Sequence, residues 1–245
     1  MLLNKFLKFA ILFFFLKLAS FTYSKEIVID EKELNTLIKD YILKNPEILL
    51  RSIDNYRKNT ELENKKNIDL QLSKLYEEKK FNKLPFIGNK KSELLLIEFI
   101  DYNCGYCKKT IKTINKLIEK IDDLKIVFID FPILSETSML AAKASLAANN
   151  QNVYFAYHSK LLEHIGPINE ALLLSFAREL NLNLPLFKND MLSKEIESKI
   201  KNNIEIARSI NVRGTPTFLF KDYILAGAYE YEKLDSIIKN NSDMW

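Results

Sequence analysis

Residues 85–245 of this 245-residue chain predict an α/β domain with a helical insertion, preceded by a helical extension. Three observations predict it. Two apolar strand runs, residues 94–100 and 125–131, flank a helix that starts at the cysteines. Helical periodicity then holds over residues 137–210. Strand signals return at Thr217–Phe220 and Tyr223–Ala226, with Asp222 between them, before a closing amphipathic helix over residues 230–238.

The first element is a leader. Basic residues up to Lys8, an apolar run over residues 9–16 and a tail ending Thr22-Tyr23-Ser24 read as a secretory signal over residues 1–24, cleaved near Ser24. A membrane-spanning helix needs about 20 predominantly apolar residues, and Lys17 interrupts this run. Loss of Lys5, Lys8 and Lys17 lowers the formal charge from +4 to +1. Such a near-neutral chain offers no electrostatic case for binding nucleic acid or an anionic membrane. Export points to the periplasm, where disulfides form and persist.

Residues 25–84 form the helical extension. Leu34, Leu37, Ile38 and Tyr41 fall at helical spacing, and Asn45-Pro46 reads as an N-cap with proline opening a second helix. That helix carries Leu49, Ile53 and Tyr56, then a polar stretch from Arg57 to Asn67, then Ile68, Leu72 and Leu75. Stripes this narrow make no core alone, so residues 29–80 pack on the rest of the chain or build a homo-oligomer; the alternative is a solvated arm with no partner, since the polar stretch breaks the heptads.

Residues 84–89, with Pro85 and Gly88, read as a linker. The strand, helix, strand unit beyond it predicts a parallel pair with a right-handed crossover. The insertion, at about 137–190, reads as helices at 138–148, 154–162, 168–180 and 190–210, with Pro167 and Pro185 as breaks.

The chain has only two cysteines, Cys104 and Cys107, in Asp101-Tyr-Asn-Cys-Gly-Tyr-Cys-Lys-Lys109. Cys107, Ile111, Ile114, Ile118 and Ile121 share one helical face, so Cys107 points into the core. Cys104 sits at the helix mouth, where free amides and the macrodipole lower a thiol pKa by up to about 1.5 units. One sulfur is then exposed and nucleophilic, and the other is placed to resolve a mixed disulfide.

Other readings stand beside this one. A structural zinc site wants four ligands, and the only histidines, His158 and His164, do not share a helical face. Covalent haem wants histidine where Lys108 stands. A structural bridge closing so short a loop stabilises weakly. Redox chemistry needs neither metal nor organic cofactor, and the two histidines receive no role. Glu98, alone in an apolar strand run, reads as functional or hydrogen-bonded, unless it faces outward from an edge.

Two stretches, LLLIEFIDYNCGYCKK (94–109) and INVRGTPTFLF (210–220), resemble the DsbA-like thiol-disulfide oxidoreductases of the thioredoxin superfamily. The resemblance covers roughly residues 85–240 and implies a thioredoxin fold with a helical insertion. It implies a cis Pro216 and a Thr215 facing Cys104, with Thr215, Pro216 and Tyr106 as the substrate surface. It makes Glu98 the acid that assists proton transfer at Cys107. Gly105-Tyr106 and Thr215 look more like the disulfide isomerases and the ScsC-like proteins, several of which oligomerise through N-terminal helices. Lacking a histidine between the cysteines, the chain is expected to be a milder oxidant.

The implied activity is disulfide formation or isomerisation through a C-G-Y-C redox-active disulfide. The implied partners are folding proteins with cysteines and a membrane redox partner that resets the pair. The alternative is an oligomeric periplasmic chaperone or a metal-binding protein whose thiols are secondary.

Overall fold

The computed structural model describes residues 30–241, so the signal expected at residues 1–24 lies outside the described residues. No helix among them is long and apolar enough to cross a membrane. The chain divides into two units, one ending at Thr60 and one beginning at Glu61.

In the first unit, α1 (Glu31–Lys44) begins at Asp30, whose carboxylate accepts from the Lys32 amide. Asn45 closes this helix: its side-chain amide donates to the Tyr41 carbonyl at 2.8 Å. It therefore acts as a C-cap for α1, a role the sequence reading did not give it. The helix α2 (Pro46–Glu77) follows directly, with Pro46 in the first turn where its missing N–H is harmless. No residue of α1 is buried.

The second unit is built on a five-stranded sheet of order β1-β3-β2-β4-β5. Its strands are β1 (Phe86–Gly88), β2 (Leu95–Ile100), β3 (Lys125–Asp130), β4 (Thr217–Phe220) and β5 (Tyr223–Ala226). The β2–β3 pair is parallel, joined through α3 (Gly105–Lys120), while β1, β4 and β5 join antiparallel. The stretch read as a linker thus contains an edge strand, too short to show periodicity. Gly88 ends it at φ +92°, where a Cβ would lie 2.2 Å from the Leu124 carbonyl oxygen, so only glycine fits.

Five helices follow β3: α4 (Glu136–Asn150), α5 (Tyr154–Glu163), α6 (Glu170–Glu179), α7 (Leu184–Met191) and α8 (Lys194–Ser209). The break between helices expected at Pro185 falls just before it, over residues 180–183. Pro185 itself stands in the first turn of α7, behind an Asn183 side chain that accepts from the Leu186 amide. The stretch expected as one helix over 190–210 divides at Ser193, whose hydroxyl caps α8 through the Ile196 amide. The closing helix is α9 (Tyr231–Asn241).

Alternation along the central strands separates two cores. Leu96, Ile100, Ile126 and Phe128 face α3, the inserted helices and α9. Ile97, Phe99, Val127 and Ile129 face the opposite way, onto Leu72 of α2, Phe81, and Ala207 of α8. The C-terminal part of α2 thus covers one side of the sheet, and Tyr76 ties it there through a 3.0 Å hydrogen bond to the Lys221 carbonyl.

Candidate active site

Cys104 is the N-cap residue of α3, with extended backbone at φ −78°, ψ 114°. β2 delivers the chain to the helix mouth, and the Cys104 amide closes the turn on the Asp101 carbonyl at 3.0 Å. Asp101 fixes this turn to the segment after β3: its carboxylate accepts from the amides of Asn103, Ile133 and Leu134 and from the Ser138 hydroxyl, all within 3.0 Å.

Cys107 lies one turn further on and is fully buried, while Cys104 is 7% exposed. Cys104 is therefore more enclosed than the exposed sulfur expected from its position. Ile111 and Ile114 are buried behind Cys107 as the spacing predicts, joined by Thr110, Thr113 and Leu117.

The two sulfurs differ sharply in acidity. The Cys104 thiol is lowered to about 5, chiefly because the Cys107 S–H donates to its sulfur. The Thr215 side chain and the backbone amides of Cys107 and Tyr106 add to this, against the opposing effect of burial. Cys107 is pushed far up, first by burial, then by its own bond to Cys104, with a further rise from Glu98 when that carboxyl is ionised. As a thiol, Cys104 donates to the Thr215 carbonyl at 3.1 Å. As a thiolate it accepts a hydrogen bond from the Thr215 hydroxyl, which is buried and has no other partner.

The Thr215–Pro216 peptide bond is cis. Tyr106, Lys109, Thr215, Pro216, Gly227 and Glu230 line a groove of about 290 Å³ beside Cys104. The Tyr106 ring is 63% exposed, with the Lys109 ammonium 5.1 Å from its centre. Tyr106, Thr215 and Pro216 thus line one groove, with the Thr215 carbonyl at the Cys104 sulfur.

Glu98 lies beneath this region, on the face of β2 that meets α3, fully buried. The Thr110 hydroxyl stands between Glu98 Oε1, at 2.6 Å, and the Cys107 carbonyl, at 2.7 Å. Burial raises Glu98 to about 8, against the opposing hydrogen bond from Thr110, so the carboxyl is largely protonated at neutral pH. Its Oε2 has no partner. This arrangement can hold a proton close to Cys107 and release it. An outward-facing glutamate on an edge strand is excluded, since β2 is flanked by β3 and β4.

Sequence reasoning missed a second buried acid, Asp130, and the tyrosines bonded near it. The signal was the one that revealed Glu98: an ionisable residue inside an apolar strand run. No group of three or more His, Cys, Asp and Glu side chains suited to a metal occurs among the described residues.

The family model described as Thioredoxin matches residues 80–240, and that of the copper resistance protein ScsC N-terminal domain matches residues 30–62. Among solved structures, the thiol-disulfide exchange protein alpha-DsbA2 from Wolbachia pipientis is 28% identical, with 71% of this chain and 96% of that one covered at a TM-score of 0.64. Proteus mirabilis ScsC in a transitional conformation is 26% identical, with 86% and 95% covered at a TM-score of 0.63. An Na(+)/H(+) antiporter from Salinispora arenicola is 26% identical over 62% of this chain, which spans only 24% of the antiporter's length.

Proposed function

This chain belongs to the thioredoxin family, and we propose that it is an exported protein thiol-disulfide oxidoreductase that forms or rearranges disulfides in other proteins. The observation that carries this reading is the unequal pair of sulfurs, one acidic at the helix mouth and one buried and protonated.

In the oxidising direction a substrate thiolate attacks Cys104 Sγ of the Cys104–Cys107 disulfide. The S–S bond breaks, and Cys107 leaves with the electron pair and takes a proton from Glu98. A second substrate thiolate then attacks the substrate sulfur of the mixed disulfide, and Cys104 departs as a stabilised thiolate. A low leaving-group pKa speeds that last step. Run backwards, the same steps reduce or reshuffle a disulfide. Thr215, Pro216 and Tyr106 line the surface that holds the substrate backbone. A membrane partner resets the pair.

A Cys104→Ser, Cys107→Ser double variant tests this by the refolding of a scrambled disulfide-containing protein. Full activity in that variant would overturn the enzyme reading in favour of a chaperone. Titrating the couple against glutathione sets its direction, since about 30 mV corresponds to 1.4 kcal/mol for two electrons.

We further propose that copies of this chain associate through the first unit. Leu34, Leu37, Ile38, Tyr41, Leu49 and Tyr56 are between 44% and 72% exposed there. Contiguous exposed apolar surface of this kind marks interaction sites. Leu37→Glu with Tyr41→Glu should yield monomers by light scattering; an unchanged mass would remove the oligomer reading.

A further inference from the structure

The chemistry above leaves one buried carboxyl unused. Asp130 ends β3, opposite Ile100 in register, and is fully buried on the same face of the sheet as Glu98. Its Oδ1 accepts from the Tyr154 hydroxyl and its Oδ2 from the Ser145 hydroxyl, each at 3.1 Å. Tyr154 in turn accepts from the Tyr102 hydroxyl at 3.4 Å, and Tyr102 lies 3.1 Å from His158 Nδ1. Tyr102, itself buried, is the second residue before Cys104. A continuous hydrogen-bonded chain therefore runs from the end of β3, through α5, to the turn that carries the reactive sulfur.

Asp130, Tyr154, Tyr102 and His158 Nδ1 each keep a partner in either protonation state of Asp130, whereas the buried His158 Nε2 has none in either. When Asp130 is ionised, His158 Nδ1–H donates to Tyr102, Tyr102 to Tyr154, and Tyr154 and Ser145 to the carboxylate. When Asp130 is protonated, the tyrosine hydroxyls can turn to run from the carboxyl to an unprotonated His158 Nδ1. Ser145 then turns its proton to the Ala142 carbonyl, 2.9 Å away. The histidine tautomer follows Asp130. The ring stays uncharged because it packs against Phe128, Tyr154, Phe155 and Tyr102 with centroids 4.5–5.8 Å away. Burial lowers its pKa to about 3.

The surroundings supply no opposing charge. From the β2 side come the carboxyls of Asp101 and Glu98, from α4 Ser145, and from α5 Tyr154 and His158. From α8 comes Asn203, whose side chain donates to the Asp130 carbonyl at 3.3 Å. No lysine or arginine pairs with Asp130 among the described residues.

We infer that Asp130 is a positioning residue for the redox pair: through Tyr154 and Tyr102 it holds the turn that delivers Cys104, and a single proton reverses the direction of that chain. Hydrogen bonds to an ionised acceptor are roughly twice as strong as neutral ones, so the turn is held more firmly when Asp130 is charged. Burial raises Asp130 to about 7, which places the change near neutrality. The inference rests on the proposed function only in taking Cys104 as the reactive sulfur.

The test is the rate of Cys104 alkylation by iodoacetamide in the reduced full-length protein, followed against pH with the modified site identified by mass spectrometry. The expected profile has one inflection near 5, from the thiol itself, and a second near 7, transmitted from Asp130. Asp130→Asn and Tyr154→Phe should lose the second and keep the first, whereas Glu98→Gln should keep both. Tyr154→Phe removes only a hydroxyl, so it decides the matter even where Asp130→Asn fails to fold. A Tyr154→Phe profile superimposable on the wild type would overturn the inference. Both inflections in a protein that exchanges no disulfides would sink the functional reading and leave this one standing.

Discussion

Glu98 and Phe99 are neighbours on one strand, both fully buried, and they face opposite cores. On the Glu98 side the sheet meets Cys107, Thr110, Tyr102 and Asp130, a core threaded with polar groups that are mostly hydrogen-bonded. On the Phe99 side it meets Leu72, Phe81, Val127, Ile129 and Leu219, with no titratable group fully buried among them. The difference teaches that one strand can separate chemistry from stability. Polar groups on the first face carry desolvation penalties that only partners repay, while the second gains free energy from simple apolar burial.

The largest effect should come from the first face. Cys104→Ser is expected to abolish disulfide exchange while leaving the urea midpoint near that of the reduced wild type. In Cys107→Ser the remaining Cys104 thiolate should still attack substrate disulfides but should accumulate mixed disulfides, visible on non-reducing gels. If Cys104→Ser retained exchange, the division of labour between the sulfurs would be broken.

The opposite face should show the reverse pattern. Phe99→Ala removes a fully buried ring and is expected to lose about 3–5 kcal/mol of stability, read by urea denaturation. The reduction potential of the cysteine pair should stay unchanged. A shifted potential would mean that the two cores are coupled through β2.

How much of this was legible in the sequence differs between the faces for the same reason. Strand runs rich in Leu, Ile, Val and Phe revealed β2 and β3 to within a residue at each end, because buried parallel strands read as continuous apolar stretches. Glu98 stood out against that background. Asp130 carried the same signal inside the run over 125–131, but its partners Ser145 and Tyr154 come from 15 and 24 residues away, and nothing local announces them. The three-residue β1 has no room for a period, and Pro185 carries the same letter whether it ends a helix or opens one. The resemblance set Thr215 opposite Cys104, but helical spacing alone gave an exposed sulfur, because a contact from 111 residues away leaves no local signal.

A smaller, pH-dependent effect distinguishes the two faces again. Folded Glu98 keeps its proton up to about pH 8, whereas its ordinary value is 4.5. Between those values the folded state holds more protons than the unfolded one, so stability falls as pH rises. The contribution is complete below 4.5 and is lost as pH passes through about 8. Asp130, raised from 3.8 to about 7, acts with the same sign over a lower window. The slope for each group reaches at most about 1.4 kcal/mol per pH unit. Glu98→Gln should flatten the upper part of this curve in the reduced protein, whereas Phe99→Ala should lower the whole curve without changing its shape.

The smallest effect belongs to the outer side of α3. Lys116 of α3 pairs with Glu232 of α9 at 2.9 Å and lies 4.1 Å from the Tyr231 ring centre, but both charged side chains are well exposed. Exposed pairs contribute about 0–1 kcal/mol, and salt screens them. Lys116→Ala should therefore change the urea midpoint only slightly, and less still in high salt. It should also leave the pH at which the Cys104 thiol titrates unmoved, because that acidity comes from the Cys107 S–H, Thr215 and nearby amides rather than from surface lysines. A clear rise in the Cys104 value in this variant would mean that the cationic outer face reaches the sulfur, and that the chemistry is not confined to the buried side of α3.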